Sequence, residues 1–217
     1  EADMACERFF LPDASLRKLY EKTNTPLLSM ETQRPLSVFG VIGVVLSFEM
    51  DYFHFLEVLS IGRVPLLAAE RQEADSFVVV GGPCATFNPE PVADFVDAVV
   101  IGEGEETFPK MARLIHEARR MGTTRKEILR QLAALPHVYV PSLYEAVYDA
   151  AGSFVCLEAR NGAPAAVSRG WVKDLDAVPG ASAIVTPDTE FSNVYLLEVA
   201  RGCGRHCRFC MAGYCFR

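Results

Sequence analysis

Three short apolar runs constrain this chain most: Phe39–Ser47, Phe77–Val80 and Asp97–Ile101. They are β-branched and do not alternate with polar residues. Each therefore reads as a strand covered on both faces, the usual state of a parallel strand between helical layers. Helical patterns separate them. Residues 50–62 form an apolar helix ending at Gly62, and Pro89–Phe95 a short one. Gly102-Glu-Gly-Glu-Glu106 opens a helix to about Met121, and Thr123 or Thr124 caps another to Leu135. Alternating strands and helices with right-handed crossovers predict an α/β, Rossmann-like parallel sheet. Further strands are expected at 5–10 and Val64–Ala69. Asp13 is expected to cap a helix to about Thr23, with Leu16, Leu19 and Tyr20 on one face. The sheet is expected to lack a strand that precedes Glu1.

The pattern changes after Pro136. Tyr144–Tyr148, Phe154–Ala159 and Val167–Val172 alternate, and Ala151-Gly152 and Asn161-Gly162 break them, which predicts a small antiparallel meander. Trp171 is expected to pack it. Pro179, Pro187 and Asp188 mark a linker. Val194–Val199 then reads as a new buried strand running into a cysteine-rich loop. The expected division is 1–135, the Rossmann-like domain; 136–190, meander and linker; and 191–217, a strand with its loop.

That loop carries the chemistry. Cys203-Gly-Arg-His-Cys207-Arg-Phe-Cys210 places three thiols three and then two residues apart. The spacing differs from the paired C-x-x-C of a zinc ribbon and from the C-x₂-C-x₂-C of bacterial ferredoxins. Three thiolates on a cubic iron–sulfur cluster leave one iron open to a substrate or cofactor. Cys215 lies five residues further on, so a structural zinc or a fully ligated cluster closed by four cysteines is a competing reading. Arg201, Arg205, Arg208 and Arg217 surround the thiols in a chain of net charge −7. They either favour thiolates and offset an anionic cluster, or form a solvated basic loop.

The acidic balance argues against nonspecific nucleic-acid binding. Cys6, Cys84 and Cys156 are scattered among apolar neighbours while the other four cluster, as in a reducing compartment with a metal site. No signal peptide is visible, and no apolar run reaches the roughly 20 residues of a membrane helix. A cytoplasmic location is expected. The sequence starts at Glu1 without methionine and stops at Arg217, just after the cysteines, and reads as a fragment.

Cys203-x₃-Cys207-x-Phe209-Cys210 resembles the signature of radical S-adenosylmethionine (radical SAM) enzymes, including the aromatic residue before the last cysteine. The resemblance implies that Cys203, Cys207 and Cys210 hold a 4Fe-4S cluster whose open iron chelates SAM, with Phe209 near the cofactor. It also implies an external electron donor and release of a 5′-deoxyadenosyl radical. The 194–199 strand would be the first of a partial (β/α) barrel.

A second resemblance covers about residues 36–120. Phe77-Val-Val-Val-Gly-Gly-Pro, Asn88-Pro-Glu-Pro and Asp97-Ala-Val-Val-Ile-Gly-Glu-Gly-Glu-Glu are similar to the cobalamin-binding-type domain that precedes many radical SAM barrels. Ser47-Phe-Glu-Met-Asp-Tyr and Pro65-Leu-Leu-Ala-Ala-Glu-Arg71 also recur in the uncharacterised bacterial branch that the chain resembles. Gly81, Gly82, Gly102, Glu103 and Gly104 end adjacent strands and would line a cobalamin crevice. Alternatively, these glycines only permit tight turns. Cobalamin domains of the mutase type supply an axial histidine from Asp-x-His-x-x-Gly; here Asp51-Tyr-Phe-His54 lies on a helix without that glycine, so His54 reads as a packing or surface residue. Cobalamin binding stays open. His206 reads as a loop residue facing water, and His116 and His137 join no constellation.

Three functions compete: a radical SAM enzyme, with cobalamin-assisted methyl transfer as one form; a corrinoid- or partner-binding module without catalysis; and a structural metal protein with four cysteine ligands. The fragment by itself is expected to be inactive, and its substrate is not legible.

Overall fold

The computed structural model describes residues 4–187, 192–205 and 207–215. Asp188, His206 and Arg217, named above, lie outside them. The described residues divide into two compact units, 1–170 and 171–217.

The first unit is built on a four-stranded sheet in the order β1-β2-β3-β4: β1 Val41–Val45, β2 Phe77–Gly81, β3 Ala98–Val100 and β4 Val138–Tyr139. β1, β2 and β3 are parallel, as the apolar runs predict. β4 is antiparallel to β3 and was not foreseen, since two residues are too few to show a period. Val78, Val79 and Val80 on β2 are almost wholly buried, because side chains of both parities meet a helical layer. On one face Ile42, Val78, Val80 and Val99 meet Phe55 and Leu59 of α2 (Asp51–Ile61), Ala85 of α3 (Pro83–Phe87) and Val92 of a 3-10 turn at Glu90–Phe95. On the other, Phe77, Val79, Ala98 and Val100 meet Met111 and Ile115 of α4 (Thr107–Arg120) and Ile128 and Leu132 of α5 (Arg125–Ala133).

The helix ends follow local chemistry. Asp13 accepts from the N–H groups of Ser15 and Leu16 and starts α1 (Ala14–Thr23). Thr124 accepts from Glu127 N–H and starts α5. α4 begins at Thr107 instead of in the 102–106 segment.

Asp97 precedes β3 and is 3% exposed. Its carboxylate accepts from Arg71 (2.8 Å), Arg125 (2.6 Å) and the backbone N–H of Val78 (2.8 Å). Arg125 also lies over the Phe77 ring, 4.1 Å from its centroid. This buried cluster ties the segments before β2 and β3 to the first turn of α5.

Several expected strands are absent. Residues 64–69 contain only the start of a 3-10 turn, Ala68–Glu70, and residues 5–10 are neither helix nor strand. The meander is a hairpin of β5 (Tyr144–Tyr148) and β6 (Phe154–Ala159), without a third strand at 167–172. That segment instead runs to Gly170, which forms a single parallel bridge with Gly102.

In the second unit, residues 194–199 are extended but form no strand. Leu197 bridges Ala181, and Glu198 N–H donates to Gly180 O at 2.7 Å. Exposure runs from 45% at Val194 to 88% at Val199, so the expected burial is corrected. A barrel strand is buried by its neighbours, and the described residues contain no barrel. Trp171 is 44% exposed. A four-residue helix, α6 (Ala212–Cys215), ends the described chain.

Candidate metal and cofactor site

The cysteine loop follows the extended 194–199 segment. Just before it, Arg201 makes a two-pronged ion pair with Glu198, at 2.8 and 2.7 Å. That guanidinium serves a carboxylate of its own segment, and the pair neutralises one of the basic charges counted around the thiols. Gly202 takes φ 93°, a turn conformation that glycine adopts without strain. Cys203 and Cys210 are half-buried and Cys207 is exposed. Cys210 N–H donates to Cys207 O at 3.0 Å, so these two cysteines share one tight turn. Phe209 between them is 91% exposed.

Among the described residues no three His, Cys, Asp or Glu side chains converge as a metal-holding group. The structure thus places Cys207 and Cys210 in one turn and does not gather all three thiols. The donor set still fits an iron–sulfur centre: soft sulfur ligands on one short loop at the surface. Cys215 differs from them. It lies in α6, is 6% exposed, and its N–H donates to Met211 O at 2.7 Å.

The second candidate region is the C-terminal edge of the parallel sheet in the first unit. Gly82 has φ 95°, and a Cβ there would lie 2.8 Å from Leu46 O. Gly102 has φ 102°, and a Cβ would lie 2.4 Å from Gly170 O. Glu103 N–H donates to that same oxygen at 3.1 Å, and Gly102 N–H to Thr86 Oγ1 at 3.0 Å. Both glycines therefore admit the chain's own backbone. These two positions offer a corrinoid no cradle. Gly81 and Gly104 have no such close approach.

His54 sits in the first turn of α2 with its side chain half exposed, 3.6 Å from Asp51. Asp51 accepts from the N–H groups of Ser47 and Phe48, at 2.9 and 3.0 Å, and so fixes the turn after β1. His54 is a surface residue, as its helical setting implies. His137 packs its ring beside Gly170, with Nδ1 2.8 Å from Ser168 O. Sequence reasoning missed Thr86, because a single hydroxyl carries no periodic signal, and it read 167–172 as a meander strand where Gly170 instead bridges Gly102.

Residues 1–141 match the family described as radical SAM proteins, N-terminal. The chain belongs to the radical SAM proteins. It is also 24% identical over 196 residues to an uncharacterized protein of Methanocaldococcus jannaschii, a match covering 89% of this chain and 34% of that relative. No solved structure matches the chain. The family match lies in the sheet-bearing unit, whereas the cysteine loop, at 203–210, lies beyond it. Radical SAM membership thus rests on the match over residues 1–141, independently of the thiol spacing. No helix among the described residues is long and apolar enough to cross a membrane.

Proposed function

We propose that the intact protein is a radical SAM enzyme in which Cys203, Cys207 and Cys210 hold a 4Fe-4S cluster. The observation that carries this reading is the coincidence of two separate signals: the family match over 1–141 and the thiol triplet at 203–210. Such a cluster, held by these three thiols, would supply the electron that radical SAM chemistry requires for reductive cleavage of SAM.

This chain's own residues have narrower tasks. Cys203, Cys207 and Cys210 bind the irons as thiolates. The burial of Cys215 in α6 supports its exclusion from the ligand set, and so weighs against a closed four-cysteine centre. Phe209 would flank the cofactor, and its exposure leaves it room to do so. The exposed loop also suits an external electron donor. The reaction class is modification of an unactivated carbon, of which methyl transfer is one form. We draw no step through cobalamin, because Gly82 and Gly102 are filled by backbone. The thiols point to a reducing, cytoplasmic setting.

Anaerobic reconstitution tests the assignment. Iron and sulfide per chain should fall to background in Cys203→Ala, Cys207→Ala and Cys210→Ala, and stay near wild type in Cys215→Ala. Loss of iron in Cys215→Ala with retention in Cys203→Ala would falsify it. The 217-residue chain alone should not turn over SAM, because a radical reaction needs walls that keep cofactor and target carbon together and dry. Multiple turnovers of 5′-deoxyadenosine formation would refute that expectation.

A further inference from the structure

The first unit contains a cavity of about 270 Å³ between the end of α5, the start of β4 and the irregular 162–168 segment. Ala133, Ala134, Pro136 and His137 line it from the α5 side, and Gly162 and Ala166 from the returning segment. Most of these side chains are short, so much of the lining is peptide backbone. Ile101, the residue after β3, donates its N–H to His137 O at 2.9 Å. That bond sets the cavity beside the carboxyl end of a parallel strand, and open α/β sheets bind ligands outside such ends.

The α5 side is rich in acceptors. A helix leaves its last carbonyls without intrahelical partners. Ala134 N–H bonds Arg130 O and Leu135 N–H bonds Leu132 O, and there the repair stops. Among the described residues no donor reaches a carbonyl of residues 133–136. Pro136 has no N–H with which to close the turn. Ala133 is 3% exposed, so bulk water reaches it poorly. A buried carbonyl costs free energy until something donates to it. The negative end of the helix dipole lies at the same place and favours positive charge.

His137 adds a side-chain acceptor. Its backbone takes φ 67°, in the left-handed region that few residues other than glycine enter. The ring lies against Gly170, where a Cβ would be 3.0 Å from ring carbons. Nδ1 is 2.8 Å from Ser168 O. A carbonyl can only accept, so Nδ1 carries the proton and the neutral ring presents its lone pair at Nε2. Among the described residues Nε2 has no hydrogen-bond partner. An unusual backbone angle and a fixed hydrogen bond thus hold one tautomer at the wall of a cavity, which is where such strain points to use.

We propose that the cavity binds the protonated amino end of a small molecule, whose N–H groups donate to the open carbonyls at the end of α5 and to His137 Nε2. An ammonium group has three donors and no acceptor, which matches a wall of acceptors at a helix C-terminus. On the facing segment Ala166 and Ser168 are exposed, and their backbone groups reach water. The volume lies below the range of about 300–1,000 Å³ that drug-sized ligands occupy, so the ligand is small. The net charge of −7 favours the approach of a cation. This inference does not depend on the cluster assignment.

Titration of the isotope-labelled 217-residue chain at neutral pH with n-butylamine, n-butanol and butyrate, followed by NMR, tests the proposal. The amine should shift the amides of Ala134, His137 and Ala166 saturably, with a Kd of about 1 mM, and move the His137 Nε2 resonance. The alcohol and the carboxylate should bind at least about tenfold more weakly. Ala166→Leu, which fills the space from an exposed position, should abolish the response and leave the urea midpoint near wild type. His137→Asn places a residue that tolerates the left-handed region where the ring acceptor was. It should weaken the amine about tenfold, the size of one lost hydrogen bond. Four outcomes overturn the proposal. One is no saturable shift up to about 50 mM amine, which leaves a cavity filled by water. Another is butanol binding as tightly as the amine, which makes the space an apolar one. The others are tighter binding of butyrate, and undiminished amine binding in both variants.

Discussion

The sheet-bearing unit and the cysteine-bearing unit stabilise themselves in different ways. In the first, Phe77 and Val78 are fully buried and Asp97 is held by two arginines, so the order is internal. In the second, Tyr195, Leu196 and Leu197 are 56–61% exposed and Phe209 is 91% exposed. Apolar side chains left in water contribute no core, and the short backbone pairing at 180–182 with 196–198 adds little. The proposed cluster site thus lies in the part with the least internal order, and the family match in the part with the most. A metal-bound loop gains its order from ligation, because binding free energy then acts as folding free energy.

That contrast breaks most sharply at the cysteines. Cys203→Ala should abolish bound iron while leaving the main cooperative melt unchanged. If a chelator unfolds the whole chain, the two units are not independent and the comparison fails. Next comes Asp97→Ala. It leaves Arg71 and Arg125 buried without their shared carboxylate and should cost about 3–5 kcal/mol. Urea unfolding followed by far-UV circular dichroism measures this; a cost under about 1 kcal/mol would mean that the cluster is not a keystone of the sheet unit.

Gly102→Ala should cost about 1–3 kcal/mol, since a Cβ enters the space of Gly170 and φ is positive. An unchanged midpoint would show that the 168–170 segment does not stay packed on Gly102.

The smallest effect concerns Tyr139, 7% exposed, whose hydroxyl donates to Glu90 at 2.7 Å. Burial, and then the Glu90 carboxylate, push its phenol well above the ordinary value of 10.0. The folded state thus favours the neutral phenol. Its contribution is fully present below pH 10, the unfolded value, and is lost as pH rises beyond it towards the raised folded value. Tyr139→Phe should cost about 1 kcal/mol near neutrality. It should also flatten the fall in stability above pH 10. An unchanged alkaline slope would place that titration elsewhere.

By itself the sequence determined the strands at 41–45, 77–81 and 98–100, because unbroken β-branched runs can be covered only between two helical layers. It also determined the cap at Asp13 and narrowed the next to Thr123 or Thr124, of which the structure uses Thr124, since a side-chain acceptor two or three residues ahead of the helical N–H groups is a local arrangement. The spacing of the three thiols was legible because it lies within one loop and is local as well. What tertiary structure decided is non-local. Apolar alternation cannot show whether a neighbouring strand is there to pair, so residues 5–10, 167–172 and 194–199 looked like strands and are not. Glycine permits a turn and a ligand approach equally well, and only the fold shows that Gly82 meets Leu46 and Gly102 meets Gly170. The pairing of β4 and the convergence of Arg71 and Arg125 on Asp97 likewise depend on partners distant in the chain, which no short window of sequence contains.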